Sequence, residues 1–387
     1  MIAKQGVVPQ RRIDRTTPAL RERSIPAPPA FDPRPPAPRF VTGWPAGGPH
    51  QSAPWFNPLD SRHIIIVEQK FPPGAVPARV SFDGGSSWRS SRPLPMLPRW
   101  ARAASPVLAM DARGTLHLAS LAHSRDGAHA CLATYRSEDG GLHWSQPVVA
   151  LQGRGKCSYV LLSDLNPASS LLGRVYLVAA AGSALHVLTF GDGSFWTTGS
   201  PPAPSLSYPG PYRYPEVMVD LAGVLHVVWT GGSFNRSILS SYSLDGGISF
   251  SLPAVVASLG QGSPLPESMR ATCLTPDGVV VCAWTDYRPR HARICCRRST
   301  DLARTWLGPS SGQLVAPDHT PGQHQHQLQP HLLVTPGGEI CCSYYEYGPK
   351  NAGDVPLVDF VMSVSYDRGL TFTRAMVLSV EPWNPSA

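Results

Sequence analysis

Six copies of one short pattern, S-x-D-x-G-x-x-W/F, constrain the fold more than any other feature of the chain. Ser81-Phe-Asp83-Gly-Gly85-Ser-Ser-Trp88, Ser137-Glu-Asp139-Gly-Gly141-Leu-His-Trp144 and Ser243-Leu-Asp245-Gly-Gly247-Ile-Ser-Phe250 are the clearest. Ser299-Thr-Asp301-Leu-Ala303-Arg-Thr-Trp306 replaces a glycine with alanine, Ser365-Tyr-Asp367-Arg-Gly369-Leu-Thr-Phe372 keeps it, and a degenerate copy runs from Thr189 to Trp196. Successive copies start 56, 52, 54, 56 and 66 residues apart. A near-fixed period of this length is the mark of a closed repeat architecture. Each copy reads as a turn: Ser and Asp side chains bond local backbone N–H groups, Gly supplies a positive φ, and the aromatic anchors the hairpin beneath.

Between copies the chain repeats one grammar. In the fourth unit Pro215–Asp220 reads as strand A, residues 221–223 as a tight turn, Val224–Trp229 as strand B and Ser237–Ser243 as strand C, with strand D running through Val255. Four antiparallel strands in each of six units predict an all-β, six-bladed β-propeller over residues 48–387. The chain stops at Trp383–Ala387, where another strand A could begin, so a truncated seventh blade stays open.

Composition agrees. Gly and Pro together make one residue in five, which excludes a mostly helical protein, and 42% hydrophobic residues exclude a wholly disordered one. Residues 1–47 form a Pro-rich basic tail that reads as an extended linker dispensable for folding. The net charge of +7 is concentrated there: residues 1–50 carry eight basic against three acidic side chains, leaving +2 for the rest. A near-neutral body argues against nucleic acid as a partner. No export signal and no apolar run long enough to span a membrane are visible, and a monomer without a cofactor is expected. The eight cysteines lack CxxC spacing, and Cys295/Cys296 and Cys341/Cys342 read as small buried thiols within strands. Asn235-Arg-Ser237 is a sequon that the lack of an export signal leaves silent.

The repeat resembles the Asp box, or BNR repeat, of the sialidase superfamily, over residues 49–380. In that family, the resemblance implies, three arginines clamp a substrate carboxylate, a Tyr activated by Glu attacks the sugar, and an Asp serves as general acid/base. Such a site belongs on the face carrying the strand A starts and the B–C loops. There Met269-Arg270-Ala-Thr272 with Ala283-Trp-Thr-Asp286-Tyr-Arg288 is similar to the first catalytic blade of sialidases, and Tyr212-Arg213-Tyr214-Pro215 is an alternative match to its F/Y-R-I-P segment. The Ile and Pro are absent around Arg270, and Arg293 stands where an acid belongs.

The resemblance therefore makes Asp286, Tyr345 and Glu346 candidate catalytic residues, and Arg213, Arg270 and Arg288 candidate contacts to an anionic, exo-linked sugar. It also implies an extracellular or cell-surface setting. A second reading stands beside it: a non-catalytic BNR propeller acting as an interaction scaffold, with Asp286 paired to Arg288 and Arg270 to a carboxylate such as Glu216. His319, His324 and His326 have metal-like spacing without a carboxylate beside them and read as a polar loop, so no metal is expected.

Overall fold

The computed structural model describes residues 54–67, 70–71, 78–96, 98, 100–126, 129–153, 157–181, 184–190, 206–207, 212–231, 237–259, 270–289, 291–315, 326–347, 357–373 and 375–379. The basic tail, Asn235, His319, His324 and most of the degenerate third copy of the repeat lie outside them.

These residues form a six-bladed all-β propeller, each blade an antiparallel sheet built in chain order. Blade one takes β1 (Pro54–Phe56), β2 (Ile64–Val67), β4 (Ala78–Ser81) and β5 (Arg89–Ser90). The intervening β3 (Lys70–Phe71) leaves it and pairs with the inner edge of blade two, which holds β6 (Trp100–Met110), β7 (Leu116–Ser124), β8 (Ala130–Ser137) and β9 (Val148–Gly153). Blade two therefore has five strands where the sequence predicts four. Blade three is β10 (Cys157–Ser163), β11 (Val175–Ala181), β12 (Ala184–Phe190) and β13 (Leu206–Ser207). Blade four is β14 (Arg213–Val219), β15 (Leu225–Gly231), β16 (Ser237–Ser243) and β17 (Ala254–Ser258). Blade five is β18 (Arg270–Leu274), β19 (Val280–Asp286), β20 (Arg293–Ser299) and β21 (Gln313–Leu314). Blade six is β22 (His326–Val334), β23 (Ile340–Tyr347), β24 (Val358–Ser365) and β25 (Met376–Val377).

Strand alternation sends one row of apolar side chains from each sheet to the preceding blade and the next row to the following one. Leu225, Val227 and Trp229 pack back onto blade three, while Met218 and Val228 pack forward onto blade five. Five apolar cores of this kind lie between blades one and two, two and three, three and four, four and five, and five and six. Among the described residues no such core joins blades six and one. All eight cysteines are free thiols, six of them buried.

The repeat turns are bonded as their residue types dictate. In the turn of blade four Ser243 Oγ donates to Asp245 at 2.7 Å, Gly247 N–H donates to Ser243 Oγ at 2.8 Å, and Asp245 accepts the Ser249 N–H at 2.9 Å. The glycine is required there: Gly141 and Gly247 have φ of 97° and 91°. Ala303 survives at the equivalent place in blade five because the turn has closed to φ 59°, within the left-handed range that an L-residue can occupy. The anchors are unequal, Trp144 and Trp306 being buried and Trp88 exposed. Trp306 also donates its indole N–H to Ser240 Oγ of blade four at 2.9 Å, so the anchor spans the blade boundary.

The A–B turns on the same face carry a second recurring device. Asp111 caps the backbone N–H groups of Arg113 and Thr115 and meets His117 at 3.2 Å; Asp220 caps Ala222 and Val224 and meets His226 at 3.2 Å. Burial raises both carboxyl pKa values, but the histidine and backbone hydrogen bonds outweigh it and hold both below the usual range.

Candidate functional site at the propeller mouth

The opposite face, where the inner strands begin and the B–C loops cross, gathers the candidate residues. Its geometry starts from three kinks. The inner strands of blades two, four and six each bulge at an X-Pro step, Ser105-Pro106, Tyr214-Pro215 and Gln329-Pro330. The residue before each proline sits at φ 52°, 52° and 55°. A residue preceding proline ordinarily stays extended, so each kink costs on the order of 1–3 kcal/mol and must be held from outside. Neighbouring blades hold them. Tyr159 of blade three donates its hydroxyl to the Ser105 carbonyl, Ser158 accepts the Tyr214 N–H at 2.8 Å, and Thr285 of blade five accepts the Gln329 N–H at 3.2 Å.

Arg270, the first residue of β18, is buried and turned into this framework. Its Nε donates to Glu216 at 3.3 Å, Nη1 to Thr230 Oγ1 at 2.9 Å, and Nη2 to the carbonyls of Tyr214 and Val228. Thr272 donates its hydroxyl to the other Glu216 oxygen. Four of the five guanidinium N–H groups are thus spent on blade four. Arg213 is half-buried and stands opposite Thr230 in register.

Asp286 and Arg288 come together at the end of β19. The Arg288 Nη2 lies 2.6 Å from Asp286 and also donates to the Ser311 carbonyl at 3.2 Å, while Nε donates to both Asp286 oxygens at 2.9 and 3.0 Å. Asp286 is buried and Arg288 partly exposed, and the carboxylate hydrogen bond raises the Arg288 pKa.

Tyr345 and Glu346 are consecutive in β23, whose register with β24 is unbroken, so their side chains leave opposite faces of blade six. Tyr345 faces outward against Phe360, ring centroids 5.3 Å apart. Glu346 is buried on the face turned to blade five, and Gln327 of β22 in its own blade donates to it at 3.3 Å. The tyrosine on its face is Tyr344, fully buried with its hydroxyl 3.4 Å from Ser363 Oγ. Burial pushes that phenol far up, the Glu346 charge adds to the rise, and the Arg293 charge opposes it.

The structure thus brings Asp286 to Arg288, sets Arg213 opposite Thr230, one of the partners of Arg270, and separates Tyr345 from Glu346. It adds Thr230 and Gln327. Glu216, which the scaffold reading offers as a partner for Arg270, and Arg293, which stands where an acid belongs, already had a signal in the sequence. His326 accepts the Ala292 N–H at 3.2 Å and lies edge-on to His291, and among the described residues no group of three His, Cys, Asp or Glu could hold a metal ion. No helix among them is long and apolar enough to cross a membrane.

The sheets define the chain as a six-bladed all-β propeller. No family model matches the sequence, and no curated protein matches it. Solved structures do match in fold. An α-L-arabinofuranosidase from Fusarium graminearum, in complex with an iminosugar inhibitor, is 15% identical over 84% of this chain and 97% of its own, with a TM-score of 0.48. An ulvan lyase bound to a glucuronate–sulforhamnose fragment is 13% identical over 89% and 87%, with a TM-score of 0.49. A sialidase from Streptococcus pneumoniae is 11% identical over 80% of this chain and 66% of its own, with a TM-score of 0.44.

Proposed function

We propose that this chain is a sialidase-like propeller that binds an anionic sugar at its mouth without hydrolysing it. The observation that carries the absence of turnover is the separation of Tyr345 from Glu346 by the pleat of β23, together with the burial of Glu346. A tyrosine nucleophile needs its carboxylate partner within hydrogen-bond reach, and neighbours on one strand cannot provide that. Both carboxylate oxygens of Asp286, the candidate acid/base, are taken up by the Arg288 guanidinium, which ties this group to a neighbouring side chain. The sugar's acidic group would meet Arg213 and Arg288, which keep partial exposure on the mouth face.

The alternative, a scaffold without a sugar site, is favoured by one observation: Arg270 is consumed by Glu216, Thr230 and two carbonyls. Calorimetric titration of the whole chain with sialic acid and with a neutral sugar separates the two. The proposal expects the acid to bind at least tenfold tighter, Arg213→Ala to remove most of that preference, and a fluorogenic sialoside to remain uncleaved. Equal affinities, or none, would establish the scaffold. Cleavage abolished by Glu346→Gln would establish a hydrolase.

A further inference from the structure

The boundary between blades six and one differs from the other five in what it leaves uncovered. Leu333, two residues before the A–B turn of blade six, occupies the position that is Met218 in blade four and Cys273 in blade five. Those two are 1% exposed and Leu333 is 67% exposed. The difference runs across the whole sheet. Cys341, Met362 and Phe360 stand where blade five has Val281, Cys296 and Ile294, all fully buried, yet all three are only half-buried. Blade one mirrors this: Ile64 and Ile66 are half-buried, whereas their equivalents in blade two, Leu116 and Leu118, are fully enclosed. Among the described residues no apolar core joins these two sheet faces, whereas each of the other five boundaries has one.

We propose that residues 40–53 of this chain, which lie outside the described residues, cover this seam. Three observations select them. Residue 53 is bonded directly to β1, the innermost strand of blade one, and Leu333 lies on the innermost strand of blade six, so the segment starts on the side of the seam that needs cover. Residues 380–387 leave from β25, the outermost strand of blade six. Charge separates this segment from the rest of the tail. Val41–Ala53 contains no Asp, Glu, Lys or Arg, while residues 1–39 hold all the tail's basic groups, and Phe40 and Trp44 are two of only three aromatics before residue 54. An uncharged aromatic stretch suits an apolar seam, and the basic part takes no role in it. The reach is sufficient: thirteen extended residues span roughly 40 Å, more than the roughly 30 Å of the nine-residue β22.

Cys341, opposite Leu333 in register, reports on the cover. In the full chain its alkylation by a maleimide, followed by peptide mass analysis, should be slow, and Phe40→Ala/Trp44→Ala should speed it at least tenfold. Equal rates in the two proteins would overturn the proposal. Hydrogen exchange on the unaltered chain is independent of whether the variant folds: amides of residues 41–48 should exchange at least tenfold more slowly than those of residues 19–25, and equal exchange would overturn it. A dimer in sedimentation that Leu333→Arg converts to monomer would assign the seam to a second copy of the chain and overturn it as well.

Discussion

Glu216 of blade four and Arg270 of blade five form a charge pair 3.3 Å apart, both buried at the boundary between their blades. The resemblance to sialidases gives Arg270 to a ligand; the geometry gives it to the fold. Removing one member of such a pair leaves an uncompensated buried charge. Arg270→Ala should therefore cost about 3–5 kcal/mol, where a ligand-facing arginine at a strand end would cost little. Urea unfolding checks this, and Arg270→Met combined with Glu216→Gln should recover part of the loss.

The repeat anchors should rank by burial. Trp306→Ala empties a buried site and removes the hydrogen bond to Ser240, so about 3–5 kcal/mol is expected. Trp88→Ala, at an exposed anchor, should cost on the order of 1 kcal/mol. Equal losses in thermal unfolding would contradict the ranking.

Gly141→Ala should destabilise by about 1–2 kcal/mol, because an alanine at φ 97° is strained and its Cβ would approach Ile65 Cδ1 to 3.1 Å. The natural alanine at 303 is no precedent, since its turn has moved to φ 59°. Melting temperatures of Gly141→Ala and of Ala303→Gly test the contrast, the second change being expected to shift stability far less.

Acid should loosen the repeat turns late. Hydrogen bonds from Ser87 and Ser81 draw the Asp83 pKa down to about 2, and those from Ser249 and Ser243 do the same for Asp245. A carboxylate whose folded pKa lies below its unfolded value of ~3.9 contributes fully above that value and loses its contribution as pH falls through the folded pKa. The melting temperature should thus drop between about pH 4 and pH 2, and Asp245→Asn should make that drop shallower.

What could be read in the sequence was local. Ser-x-Asp-x-Gly turns and the runs between them depend on neighbours within ten residues, so the six blades and most strand positions were legible. The inner strands were less so, since the bulges at Ser105, Tyr214 and Gln329 are forced by Tyr159, Ser158 and Thr285 from adjacent blades. The candidate site suffered from the same blindness. Arg270 and Glu216 are 54 positions apart, one blade; the sequence offers their pairing as one of two readings, and the packed ring selects it. The pleat of β23 was available to reasoning: once 340–347 is a strand, Tyr345 and Glu346 cannot share a face.

Each blade is made from one uninterrupted stretch of chain, with the small exception of β3 lent to blade two. Among the described residues no strand of the first blade joins the sheet of the last. An architecture of this kind can gain or lose a unit by duplicating or deleting one run of some fifty residues, without cutting through any sheet, and the near-uniform spacing of the turns is the trace such a history would leave.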